Sequence, residues 1–268
     1  MAEGGHGGEA AVAGRVIRHP SNLTAGRVGA AGSAIAAAAM VASPLLQRGR
    51  RRLASSAVVS GLAVTTGAAA VRRWGRPRAL VAAATIAVAT TAVERLGTTT
   101  GRPFGRYRYA GSLRPTVAGV PALVPLAWFA MSLPARDVAH AVLGRRSTPL
   151  RRIALGAGAL TAWDLFLDPQ MTAEGYWRWQ RPGRYRGIPL TNYAGWLATS
   201  LGLMAAMEVL TPPRGEGDRV LVGVYAWMAV METVGFAAFF DDRLVAAVGG
   251  GAMVPLAAAA ARRVWAFD

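Results

Sequence analysis

The chain of 268 residues contains no cysteine and no lysine, only three histidines, and fourteen acidic residues against thirty basic ones. Without cysteine there can be no disulfide, no thiolate metal site and no Cys-ligated iron–sulfur cluster. His6 and His19 lie in a polar N-terminal stretch, which leaves only His140 near an apolar segment. A His-ligated di-iron centre therefore lacks its ligands, and no metal or other cofactor is expected. Charge is also scarce: 16% of residues are charged, 53% are hydrophobic and the mean hydropathy is +0.30. A soluble domain of this length carries more charge, so the composition points to a membrane-embedded protein.

All thirty positive charges are arginines, giving a net charge of +16. A nucleic-acid binder would gather them on one face of a soluble fold. Here they stand in short clusters between apolar runs, such as Arg48 with Arg50 to Arg52, Arg72 with Arg73, Arg76 and Arg78, and Arg145 with Arg146. That pattern anchors membrane spans at lipid headgroups and argues against a nucleic-acid partner.

Residues 1–24 are Gly-rich and polar and lack the apolar core of a signal peptide, so they read as a disordered tail. Residues 25–268 read as one integral membrane domain with eight apolar segments, at about 28–46, 53–71, 79–96, 116–134, 150–168, 188–210, 220–240 and 244–261. Most approach the ~20 residues that a helix needs to cross ~30 Å of hydrocarbon. The expected fold is an all-α polytopic transmembrane bundle of about eight helices. Pro121 and Pro125 are expected to bend the fourth segment. An even number of crossings puts both termini on one side. The connections between segments three and four and between five and six then emerge together on the other. Arg counts are nearly balanced between the faces, and setting those two unusual connections aside favours cytoplasmic termini in the cell membrane.

These two connections hold the chemistry. Asp164 and Asp168 are four residues apart, so on a helix they share a face about one turn from its end. Burial of a carboxyl in apolar surroundings favours its protonated form and keeps an acid available. The alternative is that both pair with arginines of the other connection. Glu94 ends segment three, with Arg95 and Arg102 as candidate partners, and Glu232 lies inside segment seven, about 11 Å from the same face at 1.5 Å per residue. An ionisable group within a span is a functional candidate, although it can also serve as a hydrogen bond between helices. Trp163, Trp177, Tyr107, Tyr109 and Trp196 crowd the same face, and Asn192 lies one turn before Trp196. Such rings form interfacial belts, and their electron-rich faces also shelter cations. His140 is expected on a helix surface, and Asp241 and Asp242 in a solvated turn.

Glu94 with Gly97, the run Gly101 to Tyr109, Pro115 to Trp128 with Gly119-Val-Pro121, Trp163-Asp-Leu-Phe-Leu-Asp-Pro169 and Gly187-Ile-Pro-Leu-Thr-Asn192 with Gly195-Trp196 carry a resemblance. Over about residues 94–200 the sequence resembles the membrane carotenoid biosynthesis proteins that include the carotenoid 1,2-hydratases and bisanhydrobacterioruberin hydratases. The resemblance implies addition of water to the terminal double bond of an acyclic carotenoid, leaving a tertiary alcohol. It also implies membrane lipid as surroundings and association with other enzymes of the pathway.

The residues suit such a reaction independently. Markovnikov hydration needs a positioned acid, a cation-tolerant pocket and controlled water. Asp164, Asp168, Glu94 and Glu232 are the candidate catalytic acids. Trp163, Trp177, Tyr107, Tyr109, Asn192 and Trp196 are the candidate substrate-binding residues, and no metal site is expected. Two other readings fit the same residues: a membrane prenyltransferase using the Asp-x-x-x-Asp spacing to hold magnesium-diphosphate, and a non-enzymatic carotenoid-binding protein in which the acids only join helices.

Overall fold

The computed structural model describes residues 20–266. Most of the expected tail, with His6 and His19, lies outside the described residues. The rest is an all-α bundle of eight helices: α1 Pro20–Ala42, α2 Arg48–Trp74, α3 Arg76–Thr100, α4 Leu123–Leu143, α5 Pro149–Ala173, α6 Leu190–Leu210, α7 Arg219–Ala238 and α8 Arg243–Trp265. They stand where the eight apolar segments were read. Several run further, as in α2, whose first turns take in Arg50 to Arg52. Arginine stems lie along apolar surface while their heads reach water, so a helix continues past its apolar stretch.

The fourth segment is the exception. Its first part is a hairpin, with β2 (Thr116–Val117) paired to β3 (Val120–Pro121) across a turn in which Ala118 and Gly119 both have positive φ. Two such residues make the tight turn that suits a twisted hairpin. Pro121 therefore precedes α4 and Pro125 sits in its first turn, where a missing amide breaks no helical bond. Neither proline bends the helix as expected.

Six helices, α1, α2, α3, α6, α7 and α8, are long and apolar enough to cross a membrane. The other two, α4 and α5, do not meet that measure, and both carry buried charged side chains. α4 packs against α2, α3, α5, α7 and α8, and every residue from Ala127 to Ala141 is buried. A helix surrounded by helices need not be lipid-soluble on its own surface. At the periphery, α1 packs mainly on α2 through Gly32 and Gly61. A Cβ added at Gly61 would lie 2.6 Å from the Gly32 carbonyl oxygen, so the close crossing requires glycine there.

One end of the bundle is closed by a buried ionic cluster. Arg136 lies 3.1 Å and Arg73 3.6 Å from Asp137, which also accepts the backbone N–H of Asp218 at 2.7 Å. Beside them Arg152 pairs with Glu208, whose other oxygen is 3.3 Å from Nε2 of His140. Both Arg73 and Arg136 lie over the ring of Trp74. His140 is thus buried in the cluster, contrary to the surface position expected for it. At the opposite end, Asp242 caps α8 by accepting the Val245 N–H and pairs with Arg186.

Breaking a buried pair leaves an uncompensated charge and costs about 3–5 kcal/mol, whereas an exposed pair contributes under about 1 kcal/mol. Asp137→Ala should therefore lower the melting temperature in detergent steeply, while Arg186→Ala should leave it nearly unchanged. Equal effects would show that the cluster does not hold the helices together.

Candidate active site

The two unusual connections meet as a small antiparallel ribbon. β1 (Tyr107–Tyr109) pairs with β4 (Trp177–Trp179) in the register Tyr107 to Trp179, Arg108 to Arg178 and Tyr109 to Trp177. Side chains alternate between faces along a strand. Tyr-Arg-Tyr and Trp-Arg-Trp therefore present four rings to the bundle and two arginines to solvent, and Arg108 and Arg178 are both exposed. The preceding loop lies flat on the helices because Gly97 and Gly195 leave room for it. A Cβ at Gly195 would come within 2.7 Å of the Phe104 ring, and one at Gly97 within 2.9 Å.

Under the ribbon, Glu94 is buried at the end of α3 with three hydrogen bonds and no arginine. Its Oε2 accepts the hydroxyls of Tyr107 and Tyr109, the latter at 2.7 Å, and its Oε1 accepts Nε1–H of Trp128 at 3.1 Å. The expected pairing with Arg95 or Arg102 is replaced by these neutral donors.

Asp164 and Asp168 do share a face of α5, and both are buried. Asn192 at the start of α6 bridges them, its amide donating to Oδ2 of Asp164 at 2.8 Å and to Oδ2 of Asp168. Trp177 Nε1–H donates to the other oxygen of Asp168 at 3.0 Å. Both carboxyls thus depend on the single Asn192 amide, and Oδ1 of Asp164 has no hydrogen-bond partner among the described residues. Arginine again takes no part.

Glu94, Asp168 and Asn192 line one chamber beneath the ribbon. Its walls are mainly aromatic. Trp128 and Trp196 stack at 3.7 Å between ring centroids, and Tyr107, Tyr109 and Trp177 close the ribbon side. Asp164 stands behind Asp168 and does not line the chamber, nor does Trp163, which meets the edge of Trp196. Glu232 is not with the other three acids. It lines a neighbouring chamber together with Trp163. Among the described residues no three His, Asp or Glu side chains converge as metal ligands.

Several lining residues went unnamed as binding candidates in the sequence. Trp128 was hidden in an apolar run, although it anchors Glu94. Phe104, Tyr176 and Trp179 also line the chamber, and the alternation of rings with arginine was the signal for Trp179.

A family model described as "Carotenoid biosynthesis protein" matches residues 35–261. The chain belongs to this family. The match extends well beyond the motif-bearing residues 94–200 and takes in the last third of α1 and all of α2. Bisanhydrobacterioruberin hydratase of Haloarcula japonica is 36% identical over 123 residues, which cover 45% of this chain and 41% of that protein. The matched part is thus well under half of the relative's length. No solved structure matches the chain. For this family member, a role in carotenoid biosynthesis agrees with a chamber built from rings and hydrocarbon side chains.

Burial first, and then the charge of Glu94, hold the phenols of Tyr107 and Tyr109 above the ordinary tyrosine value of about 10. The folded protein then keeps protons that the unfolded chain releases, so stability is level below about pH 10 and falls above it. The alkaline decline in melting temperature should be smaller in the Tyr107→Phe, Tyr109→Phe double variant. An unchanged decline would assign it elsewhere. Separately, Asn192→Leu removes the donor common to both aspartates and should cost about 1–3 kcal/mol in the same melts.

Proposed function

We propose that this protein is a carotenoid hydratase that adds water to the terminal double bond of an acyclic carotenoid. The observation that carries the reading is a pair of chemically different acid sites in one ring-lined chamber. Asp168 faces the chamber with Asp164 behind it on the same Asn192 amide, and Glu94 is held as an acceptor by three donors.

In the first step Asp168, in its protonated form, passes its proton to the less substituted alkene carbon. The π pair forms the new C–H bond, and the other carbon becomes a tertiary cation. The faces of Trp128, Trp196 and Trp177 and the negative charge of Glu94 stabilise it, since rings attract cations through their quadrupole and the site is dry. Water then adds to the cation, and Glu94 takes the proton that water loses. Tyr109 donates to Glu94 and lines the same chamber as Asp168, and it serves as the return path for that proton. The sum is one alkene and one water giving one tertiary alcohol, with no electron transfer.

Support also comes from position. The chamber lies at the ends of α3 and α5 and the starts of α4 and α6, all at one end of the bundle. A long polyene crossing ~30 Å of hydrocarbon brings its end group to that level. On this reading the protein belongs in the cell membrane, with its termini in the cytoplasm, lipid around it and other pathway enzymes as its associates. Prenyl transfer is the weaker alternative, because Asp164 lies behind Asp168 and the Asp-x-x-x-Asp pair does not offer two free carboxylates to a magnesium-diphosphate. A purely pigment-binding role leaves two buried acids, Glu94 and Asp168, facing one chamber without a use.

Membranes containing the protein, incubated with an acyclic carotenoid in heavy-oxygen water, should yield labelled tertiary alcohol. A general acid contributes about 10²–10⁴-fold, so Asp168→Asn should reduce turnover by that factor with expression intact. Wild-type turnover in Asp168→Asn would remove it from the acid role, and absence of label in the wild-type product would overturn hydration.

A further inference from the structure

The chamber around Glu232 lies between α1, α2, α5 and α7. It shares Ser55, Val59, Leu167 and Met171 with the acid chamber, so the two are neighbours across one thin wall. Leu167 and Met171 are one helical turn apart on α5, and both are flexible hydrocarbon side chains. The rest of the lining is mainly apolar, including Met40, Met228, Met231 and Phe239, with Ser43, Ser55 and Gln170 as its uncharged polar residues.

Glu232 is the one ionisable group in this lining. It is 93% buried (7% exposed), and no side chain or backbone group of the described residues hydrogen-bonds to it. A buried carboxyl without a partner is costly. Glu94, Asp164 and Asp168, in contrast, are each supplied with donors by the fold. The missing partner of Glu232 is thus to be sought in what fills the chamber. A hydroxyl satisfies a carboxyl in either protonation state, donating to it when ionised and accepting from it when protonated.

We propose that the Glu232 chamber is a second ligand site, which takes the chain of an acyclic isoprenoid whose end group lies in the acid chamber, and in which Glu232 binds a hydroxyl on that chain. Long oxygenated polyenes are then preferred over equally long hydrocarbons. Only the location of the reacting end group rests on the hydratase reading. The preference for a hydroxyl is a binding property, separate from the chemistry next door.

The test compares two acyclic polyenes of equal length, one a hydrocarbon and one carrying a single tertiary hydroxyl close to its terminal double bond. Binding to the purified full chain is read from the shift of the polyene absorption. The wild type should bind the alcohol about tenfold more tightly, which corresponds to ~1.4 kcal/mol. Glu232→Leu should abolish that preference while hydrocarbon binding stays intact, which also shows that the variant is folded. Glu232→Gln, still a donor and an acceptor, should retain most of it. Met231→Trp, which fills the chamber, should weaken both ligands. A wild type without preference, or a preference unchanged in Glu232→Leu, overturns the proposal, as does binding of both ligands unaffected by Met231→Trp. The latter results are those expected if lipid acyl chains alone occupy the space. Loss of hydration with the preference retained would count against the hydratase reading alone.

Discussion

Taking a carboxyl group out of water is costly unless hydrogen-bond donors replace the water, and the rest of the acid site follows from that constraint. Three acids lie at the buried ends of α3 and α5, and arginine neutralises none of them. Their donors are phenols, indoles and one amide. These groups lower the cost without cancelling the charge or occupying the proton, so the acids stay chemically available. The same residues bring apolar rings, so a single set of side chains both satisfies the carboxyls and makes the chamber hydrophobic. The ribbon of Tyr107, Tyr109, Trp177 and Trp179 is the means by which two distant connections deliver those donors.

The bundle handles charge differently at its two ends. At one end Arg73, Arg136 and Arg152 pair with Asp137, Asp218 and Glu208, joining α2, α4, α5, α6 and α7. Ion pairs there are matched and chemically quiet. At the other end acids meet uncharged donors, and Glu232 meets no protein donor among the described residues. α4 links the ends, because it carries Trp128 near its start and Arg136, Asp137 and His140 near its finish. The burial of Ala127 to Ala141 shows how Arg136, Asp137 and His140 are kept within the bundle.

Much of this was legible in the sequence, and the parts that were not share a cause. The eight helices followed from apolar length. The meeting of the connections around Glu94 and Asp164 followed from counting crossings, and the common face of Asp164 and Asp168 from their spacing. The three-residue strands are too short for any periodic pattern, so the pairing of Tyr-Arg-Tyr with Trp-Arg-Trp was invisible although its alternation was present. Trp128 and the Arg136–Asp137 pair were hidden because apolar length cannot show which helix stands at the centre. Glu232 was expected with the other acids because depth along a helix is readable from sequence, whereas rotation towards a particular neighbour is not. The supposed arginine partners failed for the opposite reason: nearness in sequence was visible, but the tyrosines that outcompete them come from across the fold.

The account holds that buried, neutrally solvated acids add water to an olefin, and pigment mass tests this most directly. Carotenoids are extracted from a carotenoid-producing cell with and without this gene and compared by mass spectrometry. The account predicts a gain of one water for each modified end group. Pigments of unchanged mass, or a gain of a five-carbon unit instead, would contradict it.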